Sequence, residues 1–245
     1  MLAQGEVEAW LDRLYIDAPG ATLRREDRKK AAEVTALLAE VARIAARLPK
    51  DLLLVDAAAG KGYVGILAAK LVLEPLGRRA RVVALERDPA RAAAAQAAAA
   101  RAGVDLDPRA ADVGDRDAWP AEPSLVLALH ACGAAADALL DAAVAARARA
   151  ILAVPCCVGA SAPADAVAER LGLPRQAPVR RGFTETFVAA ARTLRLEAAG
   201  YETEVVSFIA PTVTPYHLLW RARRVGEPVR SRDAAARLAR LLGHG

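Results

Sequence analysis

The chain has 245 residues, 55% of them hydrophobic, and a formal net charge of +5. That length suits one α/β domain with a helical appendage. No apolar run reaches the ~20 residues of a membrane helix, and the first residues lack the basic-then-apolar pattern of a secretory leader, so a cytoplasmic protein with no membrane partner is expected.

Residues 6–16 suit a short helix with Trp10, Leu11, Leu14 and Tyr15 on one side, broken by Pro19-Gly20. Val34, Leu37, Leu38, Val41, Ile44 and Ala45 recur at helical spacing and predict a longer helix from Arg24 to Leu48, stopped by Pro49. Residues 1–49 thus read as an N-terminal helical extension and residues 50–245 as the main domain. In the latter, strands are expected at Leu52–Asp56, Arg81–Glu86, Asp107–Ala111, Ser124–Leu129 and Ala150–Pro155. Helices near 63–73, 89–102, 134–146 and 164–171 separate them. Asp88-Pro89 is a good helix start, and Gly103 a good stop. Such alternation makes a parallel sheet covered on both faces. The ending differs. After a helix from Thr184 to Ala199, closed by Gly200, come two strand-like runs, Glu202–Ala210 and Tyr216–Arg223, joined only by Pro211-Thr212-Val213-Thr214-Pro215. So short a link permits an antiparallel hairpin and not a parallel crossover. A tail helix with Ala234, Leu238, Leu241 and Leu242 inward closes the chain.

Ligands of open α/β sheets sit beyond the carboxyl ends of the strands, so those ends supply the candidates. The first strand ends in Asp56-Ala57-Ala58-Ala59-Gly60-Lys61-Gly62, followed by the helix that opens at Tyr63. A glycine turn between strand and helix lets backbone approach a nucleotide-like ligand. The second strand ends in Glu86-Arg87, with a carboxylate placed to accept both hydroxyls of a ribose. The third is followed by Asp112-Val113, the fourth by His130-Ala131-Cys132-Gly133, and the fifth by Pro155-Cys156-Cys157. Gly60-Lys61-Gly62-Tyr63-Val64-Gly65 also fits the GxGxxG of a dinucleotide fold with Glu86 as its acidic partner, which keeps an NAD-dependent oxidoreductase as the rival reading.

Asp56 with its glycine turn, and Glu86, resemble the first two motifs of the class I S-adenosylmethionine-dependent methyltransferases, with Ala58 where that family has a glycine. That position is expected mainly to need a small residue. Leu129-His130-Ala131-Cys132-Gly133 with Asp137, then Pro155-Cys156-Cys157, resembles an LHxCG/PCC subgroup that holds bacterial methyltransferase-domain proteins, eukaryotic methyltransferase-like proteins and a ribose 2′-O-methyltransferase of the tRNA acceptor stem. Lys29-Lys30-Ala31-Ala32-Glu33-Val34 resembles that subgroup's KKxxEV element, and Thr214-Pro215 its TPxN, with His217 replacing the asparagine. The resemblance implies a Rossmann-like, mostly parallel seven-stranded sheet with a reversed last strand. It also implies S-adenosylmethionine (SAM) as cofactor and methyl transfer to an acceptor, with RNA among the candidates. Asp56, Ala58, Gly60, Gly62, Tyr63, Glu86, Arg87, Asp112, Val113 and His130 would bind the cofactor, and Lys29, Lys30 and Pro155 the substrate.

Among the candidates for chemistry, His130 is either a base near the transferable methyl, since histidines exchange protons near neutral pH, or a strand-end side chain bonded to backbone. Asp112 either meets the adenine amino group or caps a turn. Three cysteines with one adjacent pair do not make a disulfide framework and suggest reduced thiols. Cys132, Cys156 and Cys157 are pocket-lining apolar groups or, for one of them, a nucleophile. Zinc is disfavoured by the adjacent pair. Two basic clusters, Arg24, Arg25, Arg28, Lys29 and Lys30, and Arg221, Arg223, Arg224, Arg230 and Arg232, are solvated faces or phosphate contacts. The latter use would also suit a non-catalytic RNA-binding module with this fold.

Overall fold

In the computed structural model, residues 2–15, 23–155, 157–210, 213 and 217–243 are described. Seven strands form one sheet: β1 (Asp51–Ala57), β2 (Arg79–Glu86), β3 (Leu106–Ala110), β4 (Leu125–Leu129), β5 (Ala150–Val154), β6 (Tyr201–Ser207) and β7 (Leu218–Arg224). Their order is β3-β2-β1-β4-β5-β7-β6. The first five run parallel, while β7 is antiparallel to both β5 and β6. The expected mostly parallel sheet with a reversed last strand is therefore present. The dinucleotide alternative called for a sheet without that reversal.

The period-2 alternation of strand side chains splits the core in two. Leu54, Val82, Leu125, Leu127 and Leu152 face one layer, with the inner sides of α1 (Gln4–Tyr15), α2 (Arg25–Ala45) and α4 (Pro89–Ala102). Val55, Val83, Leu85, Val126, Ala128 and Ile151 face the other, with α5 (Ala134–Ala145) and α7 (Ala177–Ala198). Every residue of β4 is buried, as a central strand requires. The two N-terminal helices share their core with β1 and β2, since Val7, Leu11, Leu14, Val34, Leu37, Leu38 and Val41 are all buried in it.

Local chemistry accounts for the element ends. Asp88 Oδ1 accepts from the N–H groups of Ala90 (2.9 Å) and Arg91 (3.4 Å). Pro89 fills the first turn and Gly103, at φ +67, closes the helix. α3 (Tyr63–Leu67) runs without a break into a π-helical turn, Ala68–Leu73. α6 (Ala162–Arg170) precedes α7, which starts at Ala177 rather than at Thr184 because Pro178 takes a first-turn position where proline costs no hydrogen bond. The tail helix α8 (Pro228–Leu242) is capped by Glu227, whose side chain accepts from Val229 and Arg230. Ala234 is buried, while Leu241 and Leu242 pack beside Phe187. Thr214-Pro215 and most of the hairpin link lie outside the described residues. No helix among the described residues is long and apolar enough to cross a membrane.

Candidate functional site at the carboxyl ends of the strands

The turn after β1 is shaped by close approaches. A Cβ on Gly62 would lie 2.8 Å from Ala95 Cβ of α4, and one on Gly65 would lie 2.8 Å from Val82 Cγ1 and 2.9 Å from Asp56 Cβ. Those two glycines let α3 pack against α4 and the sheet. Gly60 differs: at φ +59, nothing lies within 4 Å of where its Cβ would be, so its backbone is open to the space above. Ala58 is also left-handed, with φ +56. The position therefore asks for positive φ, which alanine adopts at a cost, and not merely for small size.

The second strand locks onto this turn. Gly60 N–H donates to Glu86 Oε2 (2.9 Å) and Asp88 N–H to Glu86 Oε1 (3.0 Å). Each carboxylate oxygen keeps a further lone pair. Asp112 Oδ1 accepts from Gly114 N–H (2.9 Å), so it does cap its own turn while also facing the cleft. Trp119 donates to Val113 O (2.9 Å) and holds that segment in place. Between these pieces lies a cleft of ≈ 540 Å³, within the range of small-molecule sites.

The fourth strand ends in a strained loop. His130 has φ +67, unusual for a residue with a side chain, and its N–H donates to Val154 O (2.9 Å). His130 Nε2 lies 2.8 Å from Glu33 Oε2, a carboxylate on α2 that is only 6% exposed. The loop is held from behind by Arg192 of α7. This arginine is 2% exposed and donates to Asp137 Oδ1 (3.1 Å), Asp137 Oδ2 (2.9 Å) and Gly133 O (3.1 Å).

Of the residues singled out in the sequence, Ala58, Gly60, Tyr63, Glu86, Arg87, Asp112, Val113, His130 and Cys132 line the cleft together. Asp56 does not. It is 1% exposed, its Oδ2 accepts from Gly65 N–H (2.8 Å), and it anchors α3 from beneath. Burial, countered by the Gly65 N–H and reinforced by the Glu86 charge, pushes its carboxyl up to about 7. Gly62 and Pro155 are likewise buried outside the lining, and Cys157 is a free, exposed thiol. Cys132 is disulfide-bonded, which replaces the expected reduced thiol there. Cys156 lies outside the described residues. Lys29 is exposed, and Lys30 Nζ sits 4.6 Å over the Tyr63 ring. Arg91 also lines the cleft and was not singled out, although its place one turn after the Asp88 cap on α4 signals it. Glu33 and Arg192 act from other elements.

The two basic clusters end up apart. Lys30 stands beside the cleft, whereas Arg221, Arg223 and Arg224 join Arg43, Arg47, Arg147 and Arg149 around a second cleft of ≈ 670 Å³. That cleft lies at the amino ends of β1 and β5, on the far side of the sheet from the glycine turn.

A sheet of this order with a reversed β7, a glycine turn after β1 and a carboxylate closing β2 define the fold of the class I SAM-dependent methyltransferases. Magnesium protoporphyrin IX methyltransferase of Synechocystis PCC 6803, solved with bound SAM, shares it at a TM-score of 0.50 and 14% identity, over 92% of this chain and 99% of that one. A putative RNA methyltransferase from Pyrococcus horikoshii aligns at a TM-score of 0.49 and 13% identity, over 92% of this chain and 100% of that one. No curated protein sequence matches. The chain belongs to the methyltransferase-domain family, whose family model matches residues 29–160. That span begins inside α2 and ends past β5.

Proposed function

We propose that this chain is a SAM-dependent methyltransferase whose cofactor occupies the 540 Å³ cleft. One observation carries the reading: Glu86 stands in the cleft wall, oriented by the Gly60 and Asp88 N–H groups at 2.9 and 3.0 Å. A carboxylate fixed that way still has lone pairs for the two hydroxyls of a ribose. The unobstructed backbone at Gly60 suits the amino-acid end of the cofactor. Val113 and Asp112 would flank the adenine, and His130 would face the methyl end. When bound, SAM supplies an electrophilic methyl on sulfur. The residues contribute alignment of the acceptor and exclusion of water.

RNA is the acceptor class we favour. Its support is the basic start of α2, where Arg24, Arg25, Arg28 and Lys29 are exposed beside the helix turn that reaches Tyr63.

Calorimetric titration with S-adenosylhomocysteine (SAH), with NADH in parallel, tests the cofactor reading. SAH is expected to bind and NADH not to. Glu86→Ala should weaken SAH by about tenfold or more, the loss of hydrogen bonds to a charged group, with the circular dichroism spectrum unchanged. Binding of NADH alone overturns the proposal.

A further inference from the structure

We infer that Glu33 and His130 form a proton-accepting dyad, and that the methyl acceptor is protic, an O–H or neutral N–H that must shed its proton during transfer. The inference rests on the proposed cofactor site.

Glu33 is out of place as a packing residue. Its neighbours on the inner face of α2 are Ala31, Val34, Leu37, Leu38 and Val41, all fully buried. A carboxylate in such surroundings is costly unless it is paired. Its partner is His130, 97 positions away and 2.8 Å distant. His130 in turn occupies a strained backbone conformation at φ +67 and lines the cleft. A carboxylate that accepts the Nε2 hydrogen fixes the tautomer and leaves the lone pair on Nδ1. It also stabilises the imidazolium that forms when Nδ1 takes a proton.

The other polar groups of the cleft are committed differently. Glu86 and Asp112 accept from backbone N–H groups. Burial first, then the nearby charges of Asp56 and Glu33, raise the Tyr63 phenol, which stays protonated. Tyr63 can therefore donate and cannot serve as base. In the inferred step the acceptor X–H bond breaks and its proton passes to His130 Nδ1. The electron pair left on X forms the new X–C bond, while the pair of the sulfonium C–S bond stays on sulfur. His130 then returns its proton to water. An acceptor whose nucleophilic atom bears no proton would need none of this. Glu33 acts through His130 and is a positioning residue.

The test uses the full chain with ring-¹⁵N histidine, His130 being one of three histidines, and the variants Glu33→Met, Glu33→Gln and His130→Asn. The wild type should show a downfield, slowly exchanging proton on His130 Nε2. His130→Asn and Glu33→Met should lack it, and Glu33→Gln should keep it through its amide oxygen. Transfer of labelled methyl from SAM to total RNA and soluble protein of a strain lacking this chain is the second readout. It should fall about 100-fold or more in His130→Asn, and about tenfold in both Glu33 variants, because a neutral amide restores the hydrogen bond without the charge. An absent Nε2 proton in the wild type, its persistence in Glu33→Met, or transfer at the wild-type rate in Glu33→Gln overturns the dyad. SAH binding should stay within about threefold in both Glu33 variants, Glu33 lying outside the cleft lining. Its loss in the wild type would sink the cofactor site instead, leaving the Nε2 signal to judge the dyad.

Discussion

The two ends of the sheet carry clefts of similar size, ≈ 540 and ≈ 670 Å³, and opposite construction. At the carboxyl end, charged atoms are aimed by backbone: Glu86 by Gly60 and Asp88, Asp112 by Gly114. At the amino end, seven arginines and two glutamates line the wall, and charges meet side chain to side chain. Arg221 bonds Glu40 at 2.7 Å, and Arg147 meets Glu122 at 3.0 Å. Backbone fixes a geometry before any ligand arrives. The exposed pairs at the amino end, such as Arg147 with Glu122, adjust to whatever is near and are screened by salt. The larger cavity is therefore not the better place for a precisely held cofactor.

The strongest way to sharpen this contrast is to titrate it. The Asp56 carboxyl sits at about 7 against an ordinary 3.8, so the folded chain holds a proton that the unfolded chain has released. Stability from this group is complete below about pH 4 and is lost as pH rises toward 7. The full swing is on the order of 4 kcal/mol. Asp56→Asn removes the titration while its amide oxygen can still accept from Gly65. Urea unfolding from pH 4 to 8 should show the Asn variant gaining on the wild type by about that amount. Parallel pH profiles would refute the buried-acid account.

A smaller effect is expected at Ala58. Glycine there relieves about 1 kcal/mol of left-handed strain, partly offset by a freer unfolded chain. Thermal unfolding of Ala58→Gly should shift up slightly with SAH affinity unchanged. A drop in stability would mean that the alanine methyl packs usefully. Smallest of all is the amino end. Arg147 and Glu122 are mostly exposed, and Arg147→Ala should stay within about 0.5 kcal/mol of wild type and leave SAH binding alone. A larger loss would show that the arginine cleft is as rigid as its counterpart.

Much of this was readable in the letters where the cause is local. Asp88, Pro89 and Gly103 bound α4 through caps that act within a turn. The short link between β6 and β7 announced the reversed strand. Glu86 was legible as a carboxylate at a strand tip, and it lines the cleft there. What stayed hidden depends on contacts between distant segments. Glu33 sits on an apolar helical stripe and looks like a pattern error until His130 is beside it. Asp56 reads as a ligand group until depth places it beneath the turn. Ala58 conceals its positive φ, since the letter A reports size and not conformation.

The N-terminal helices give this architecture a timetable. Tyr15 donates to Lys61 O across 46 positions, Arg101 to Leu14 O across 87, and Glu33 meets His130 across 97. During synthesis, α1 and α2 leave the ribosome well before His130 exists, and so distant a pairing forms slowly. A nascent chain halted ahead of β4 would carry the Glu33 carboxylate without its His130 partner. The cleft that His130 lines is complete only once β4 has joined the sheet and its end has met α2.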